Sequence, residues 1–416
     1  MEGIGYLPGG GSSEAWGVNA DGTVIVGQAD AGTSVVFRAF RWVEGEGMES
    51  LGVLEGGTWS VARGVNGTGD VVTGTSDTTN GARAFIWRSG TMLDFANTAT
   101  AVQDTAAALG AAAAQFTGAA EGALGRELYA NGAGGTASTK GAGLGGGTPM
   151  ALRLGVGAAR NADVAGLALS DATVALAFGN GLTLNGFVGL GRETQDLGAV
   201  SLDGNYLSGG VALRYHARPD RSGPTFRLAA MAAAGDVGVT RLALLPDTET
   251  GVGQTSLHSS AASIEAGYGL VSGGALWTPF LRLSAARSTR AAYAEDAGIA
   301  FPLSFDAHTE DLTSLTLGVT GRIATSPRGT LELGAGLTHD LARSANPVTG
   351  TSALPGFETF SVAAPKVVNP TRGYLSAGYS HRLSNGAAVG GTVSVAQSPW
   401  GSAPTVSLSA NYEIRF

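Results

Sequence analysis

The chain contains no cysteine, which removes disulfides, thiolate metal sites and a cysteine nucleophile, and suits a protein that crosses an oxidising compartment. Charge is scarce as well. Charged residues make up 14% of the chain, lysine occurs only at Lys140 and Lys366, and a net charge of -8 leaves no basic patch for nucleic acid. Nucleic acid is therefore excluded as a partner. Long apolar runs are missing too: the longest uncharged stretch of the alanine-rich region, Thr105 to Ala120, is too short and too weakly apolar to span a bilayer as a helix. Met1-Glu2-Gly3 lacks the basic region and apolar core of an export signal. The expectation is a chain whose signal and further upstream sequence have been removed.

Histidine is absent from the first 130 residues. A Ser-His-Asp hydrolase or a histidine-ligated metal in that region is excluded by composition. His216, His258, His308, His339 and His381 lie far apart along the rest of the chain, without metal-ligand spacing. No cofactor and no metal site are expected, and no enzyme. Asn19-Ala20-Asp21-Gly22 looks faintly like part of a calcium loop, but its later counterpart reads Asn66-Gly67-Thr68-Gly69, and a turn explains both.

What is present is glycine, 67 residues of 416, and alternation. Val406, Leu408, Ala410, Tyr412, Ile414 and Phe416 fall on one face of a terminal strand, and Thr405, Ser407, Ser409, Asn411, Glu413 and Arg415 on the other. The pattern recurs up the chain in segments of about ten residues, the signature of a transmembrane β-barrel. From residue 149 to 416 twelve strands are expected. The short connections fall near residues 179–181, 216–223, 272–275, 325–329 and 384–387, and the longest, 344–370, falls at the opposite end. Outward sets such as Leu315, Leu317 and Val319 alternate with inward residues that are small or charged. The predicted lumen lining is Arg214, Glu265, Arg282, Arg322, Glu332, Arg382, Glu413 and Arg415, read as a wet, mutually paired wall.

Ahead of the barrel the chain divides into three parts. Residues 1–96 hold two copies of an all-β unit, 4–50 and 51–95: Ile4-Gly5-Tyr6-Leu7-Pro8-Gly9-Gly10 answers Leu51-Gly52-Val53-Leu54-Glu55-Gly56-Gly57, and Arg38-Ala39-Phe40-Arg41-Trp42 answers Arg83-Ala84-Phe85-Ile86-Trp87. Trp16, Trp42, Trp59 and Trp87 are read as repeat core. Residues 98–130 place Val102, Leu109, Phe116 and Leu124 at helical spacing, and 131–148 form a glycine-rich linker. Twelve strands leave a bore near the ~10 Å diameter of one helix, so the helix is expected to occupy the lumen.

Residues 1–95 resemble the HAF family of extracellular repeats. The order of surface repeat, helix and twelve-stranded barrel ending in Tyr412-Glu413-Ile414-Arg415-Phe416 resembles the classical autotransporters of type V secretion, over about residues 98–416. That resemblance implies a monomer in outer-membrane lipid, delivered by periplasmic chaperones and inserted by the barrel-assembly machinery. Tyr412, Ile414 and Phe416 would carry the assembly signal, and the chain's own passenger would be exported to the cell surface. Some members cut the passenger free at an asparagine inside the helix. Here Asn97 is expected before the helix and Asn131 after it, so the passenger should stay attached. Three readings stand in different classes: a display module with an adhesive passenger, a diffusion porin, and a display barrel for an upstream surface enzyme.

Overall fold

The computed structural model describes residues 3–32, 36–130, 150–160, 164–178, 180–398 and 403–416. Four antiparallel strands, β1 (Ser13–Val18), β2 (Val24–Asp30), β3 (Phe37–Val43) and β4 (Gly47–Gly52), form a first small sheet. A second sheet repeats it in β5 (Ser60–Val65), β6 (Val71–Thr78), β7 (Gly81–Arg88) and β8 (Thr91–Asp94). The two sheets stack face to face, burying Val24, Val26 and Ala39 of the first against Ala62, Val72, Phe85 and Trp87 of the second. Trp16 departs from the core reading: it is 51% exposed and lies beside Arg63, because β1 is an outer strand of the stack.

Helix α1 (Phe95–Ala130) follows β8 without a loop. Asp94 caps it, its carboxylate accepting the Asn97 backbone N–H at 3.0 Å and satisfying a donor that no helical carbonyl can reach. The helix therefore starts three residues earlier than residue 98, and Asn97 lies in its first turn rather than before it.

The barrel runs β9 (Met150–Arg160), β10 (Val164–Phe178), β11 (Leu182–Asp196), β12 (Val200–His216), β13 (Gly223–Arg241), β14 (Gly251–Ser272) and β15 (Ala275–Arg290). Two short strands, β16 (Tyr293–Ala294) and β17 (Leu303–Phe305), interrupt it before β18 (His308–Ala324) and β19 (Gly329–Ala345). Two more, β20 (Val348–Ser352) and β21 (Thr359–Val362), precede β22 (Thr371–Arg382), β23 (Ala388–Ala396) and β24 (Thr405–Arg415). Twelve of these strands pair in sequence order, and β24 pairs with β9 to close the ring. Closure leaves no free edge, the condition for a sheet to cross lipid.

One end has tight turns, such as Gly273-Gly274 with both residues at positive φ, and the other has long connections. The outward faces carry Phe226, Leu228, Ile264, Tyr268, Leu281, Leu317 and Leu375, all exposed. About ten tilted residues per strand suffice to cross a bilayer, yet β14 has 22. The surplus raises a wall above the lipid band at the long-loop end, where β16, β17, β20 and β21 make a small sheet over the mouth.

Candidate translocation lumen

The inward faces change character along the barrel axis. At the long-loop end they are apolar on β12–β14, where Val200, Leu202, Val237, Val239 and Leu257 point inward and are buried, and charged across from them, where Arg343 holds Glu310 at 2.8 Å and Arg372 holds Asp340 at 2.7 Å. In the middle they are small, with Ala212, Ala229, Ala233, Ala261 and Ala286 around Met231. Towards the tight-turn end they are charged.

At that charged level Glu265 is 3% exposed and held by two guanidiniums, Arg282 Nη2 at 2.7 Å and Arg227 Nη1 at 3.1 Å. Arg322 meets Glu332 at 3.1 Å, and Arg415 meets Glu413 at 2.7 Å. Neighbouring strands bring these groups together, since Arg227 pairs with Glu265, Glu265 with Arg282, and Arg322 with Glu332. Charges taken out of bulk water need partners of this kind. Arg214 is buried beside them, on the inward face of β12. Arg382 is different. It lies exposed at the last residue of β22, on the tight-turn rim, because the strand ends there and its side chain reaches solvent. Arg227 and the buried Arg153 belong to the same level and were missed, although the alternation of Phe226 and Leu228 around Arg227 places it inward.

The helix enters at the opposite level. Val102 and Leu109 are fully buried in one cluster with Val239, Leu257, Leu303, Phe305 and Phe360. Further along, Ser288 donates its hydroxyl to the Ala113 carbonyl at 3.1 Å and meets the Thr117 hydroxyl, so β15 grips the helix from the barrel wall. Gly110 passes close under the covering sheet: an added Cβ there would meet Pro365 Cδ at 3.1 Å and Val348 Cγ2 at 3.3 Å. The predicted helix positions Phe116 and Leu124 lie outside the residues whose side chains are described.

The covering sheet has its own ionic latch. Arg241, from the end of β13, holds Glu295 through two hydrogen bonds of 2.7 and 2.8 Å, both side chains being almost wholly buried. Glu295 also accepts the Leu303 N–H at 2.9 Å, and Glu249 accepts the Ala300 and Phe301 N–H groups. Phe301 and Leu354 then pack under Val71, Ile86 and Leu93 of the second repeat. The Asp247 carboxylate, from the β13–β14 connection, accepts the Glu55 N–H at 2.9 Å. Burial pushes this carboxyl up from its ordinary value, against the lowering effect of the Glu55 bond.

The terminal strand closes the wall. Tyr412, Ile414 and Phe416 line its outer face, with Phe416 48% exposed and its N–H bonded to the Met150 carbonyl at 2.9 Å. Both chain ends of the barrel thus lie at the tight-turn rim. Of the histidines, His216 and His308 face inward and His258 faces outward among Leu207 and Ser260. Among the described residues no three of His, Cys, Asp or Glu gather in a metal-binding group.

A closed antiparallel ring of twelve strands, apolar outside, charged within and entered by a helix from its long-loop end, defines a transmembrane β-barrel with an occupied mouth. The sequence matches the autotransporter beta-domain family over residues 119–394, and the chain belongs to that family. It contains an outer-membrane β-barrel of type V secretion, a transport barrel. The fold is similar to the translocator domain of autotransporter NalP from Neisseria meningitidis, at 17% identity and a TM-score of 0.56, covering 73% of this chain and 98% of that one. The beta domain of the Bordetella autotransporter BrkA matches at 15% identity and a TM-score of 0.41, covering 64% and 98%. The transport unit of the autotransporter AIDA-I from Escherichia coli matches at 11% identity and 0.37, covering 68% and 96%. No curated protein matches the sequence.

Proposed function

We propose that this barrel exports its own N-terminal region through the lumen and displays it on the cell surface as a HAF-like repeat passenger. One observation carries the reading. The second repeat ends at Asp94 at the long-loop end, while β9 begins at Met150 on the tight-turn rim beside Phe416. The chain between must pass from one end of a closed barrel to the other. Its first half does so with Val102 and Leu109 buried against inward-facing wall residues. The lumen behind is lined by small and paired charged side chains, which leave room for a slim alanine-rich helix and give it no continuous apolar surface to bind.

In this reading the protein works as a monomer in outer-membrane lipid, with the passenger as its own cargo. Periplasmic chaperones deliver the chain, and the outward row Tyr412, Ile414 and Phe416 addresses the barrel-assembly machinery. Adhesion is the role proposed for the repeats. The test is conductance in a planar bilayer. The intact chain should pass a small, unsteady current, and deletion of residues 1–130 should open a larger, steadier one, because closed strand pairing keeps the wall without the helix. Equal conductance before and after the deletion would replace display with a diffusion porin.

A further inference from the structure

The two repeats are built alike but covered differently. Ile25, Phe40, Trp42, Leu7 and Ile4 of the first correspond to Val72, Phe85, Trp87, Leu54 and Leu51 of the second. In the second repeat this face is sealed by the first, and Val72, Leu54 and Phe85 are at most 1% exposed. In the first repeat Phe40 and Leu7 are buried within the repeat itself, but nothing else among the described residues covers the face, so Ile4, Ile25 and Trp42 packed around them are only half-buried and Tyr6 is 58% exposed. The leading strand shows the same contrast: Ala62 of β5 is fully buried, whereas its counterpart Ala15 of β1 is exposed and Val18 is 59% exposed.

The polar contacts of the sealed interface also have counterparts at the open face. Ala39 N–H donates to Ser60 Oγ at 2.8 Å, Arg41 Nε to the Gly69 carbonyl at 2.8 Å, and Asn19 Nδ2 to the Gly67 carbonyl at 3.4 Å. The matching acceptors in the first repeat are Ser13, Gly22 and Ala20. Ser13 Oγ donates to the Gly5 carbonyl just as Ser60 Oγ donates to that of Gly52, leaving the same acceptor capacity outward.

We propose that the open face of the first repeat is a stacking surface for a further four-stranded repeat of the same fold, continuing the array away from the barrel. A second copy of the whole chain does not supply the complementary face. The Val24, Val26 and Ala39 face is sealed between the two repeats, and the corresponding face of the second repeat, at Val71 and Ile86, is filled by Ala300, Phe301 and Leu354 of the barrel's covering loops. Those loops take the place of a third repeat, so the stack is closed at the barrel and open at its far side. Stacks of this kind bury their core only between neighbours.

The test inserts a copy of residues 4–50 immediately before Ile4 of the full-length chain. At the existing interface a Cβ on Gly67 would lie 4.0 Å from Ala20 Cβ, a disulfide-forming separation. Gly67→Cys with Ala20→Cys in the parent chain is therefore the positive control. In the extended chain Ala20→Cys in both copies should form the corresponding bridge within one chain, seen by mobility on a non-reducing gel. Hydroxyl-radical labelling of Trp42, read by mass spectrometry, should fall to the level of Trp87. A bridge that forms only between chains, or a Trp42 labelled as in the parent, overturns the proposal. So does an added copy that stays unfolded, because a stacked copy would meet the first repeat just as the first meets the second.

Discussion

Asp21 and Asp70 occupy different positions in their repeats and make the same bond. In the first repeat the Thr23 hydroxyl donates to Asp21 at 2.6 Å; in the second the Thr68 hydroxyl donates to Asp70, so acid and hydroxyl have changed places across one turn. Asn19 and Asn66 close both turns by accepting the Val24 and Val71 N–H groups. The sequence comparison shows the acid missing at Thr68, because alignment by position hides an exchange over two residues. The Thr68 hydroxyl first, then the Asn66 amide and the Arg88 charge, hold the Asp70 carboxyl below its ordinary value of 3.8. Its contribution is thus present above that value and is lost as pH falls through the lower folded one. Thermal unfolding of the repeats should weaken with acid in that window, and Asp70→Asn should flatten the dependence; an unchanged acid slope would remove Asp70 from the account. Barrel residues were easier to read, since a period of two settles every face once one is known. Leu317→Arg, at a 64% exposed outward site, should cost roughly 2–4 kcal/mol if near the bilayer midplane, and Ser376→Arg, on the inward face beside Gly334, much less. Refolding titrations of both variants decide it, and equal losses would mean that the register is wrong.

At the scale of elements, strands of nine or more residues were legible and the covering sheet was not. Residues 344–370 read as one long connection, because β20 and β21 have only five and four residues, and β20 finds its other partner, β17, far away in sequence. No local alternation marks strands that short. The Arg241–Glu295 latch was hidden for the same reason, its partners being 54 residues apart. Removing one member of such a buried pair leaves the other charge without compensation, at a cost of about 3–5 kcal/mol. Glu295→Ala should therefore raise hydrogen exchange across Leu303–Phe305 while the β18–β19 amides keep their protection. The helix start was shifted for a related reason, since Asp94 caps from the end of a strand. Gly110 sits inside the helix, where glycine costs propensity, and the covering sheet passes close against it. Leucine would gain about 1 kcal/mol of helix propensity there but must displace Pro365 and Val348, and overpacking costs roughly 1–3 kcal/mol. Gly110→Leu should loosen the cover, seen as faster proteolysis of 346–370, whereas an unchanged digestion pattern would show that the cover has slack.

On the scale of the whole molecule, two kinds of stability meet at one interface. The barrel is held by a closed ring of backbone pairs, each strand bonded on both sides, and needs nothing from the repeats to stay closed. The repeats bury their core against one another and, through Val71, Ile86 and Leu93, against Phe301 and Leu354 of the covering loops. Little of this docking could be read in advance, because Phe301 and Leu354 sit in connections whose partners in the second repeat lie far upstream in sequence. The consequence is that repeats and cover should unfold together, below the barrel. Calorimetry of the purified chain in detergent should show a lower transition for that unit and a higher one for the barrel. Phe301→Asp puts a charge into the dry contact under the second repeat, so it should lower the first transition and leave the second in place. A single transition that shifts as a whole with Phe301→Asp would mean that cover, repeats and barrel form one cooperative unit, and that the wall depends on what is docked above it.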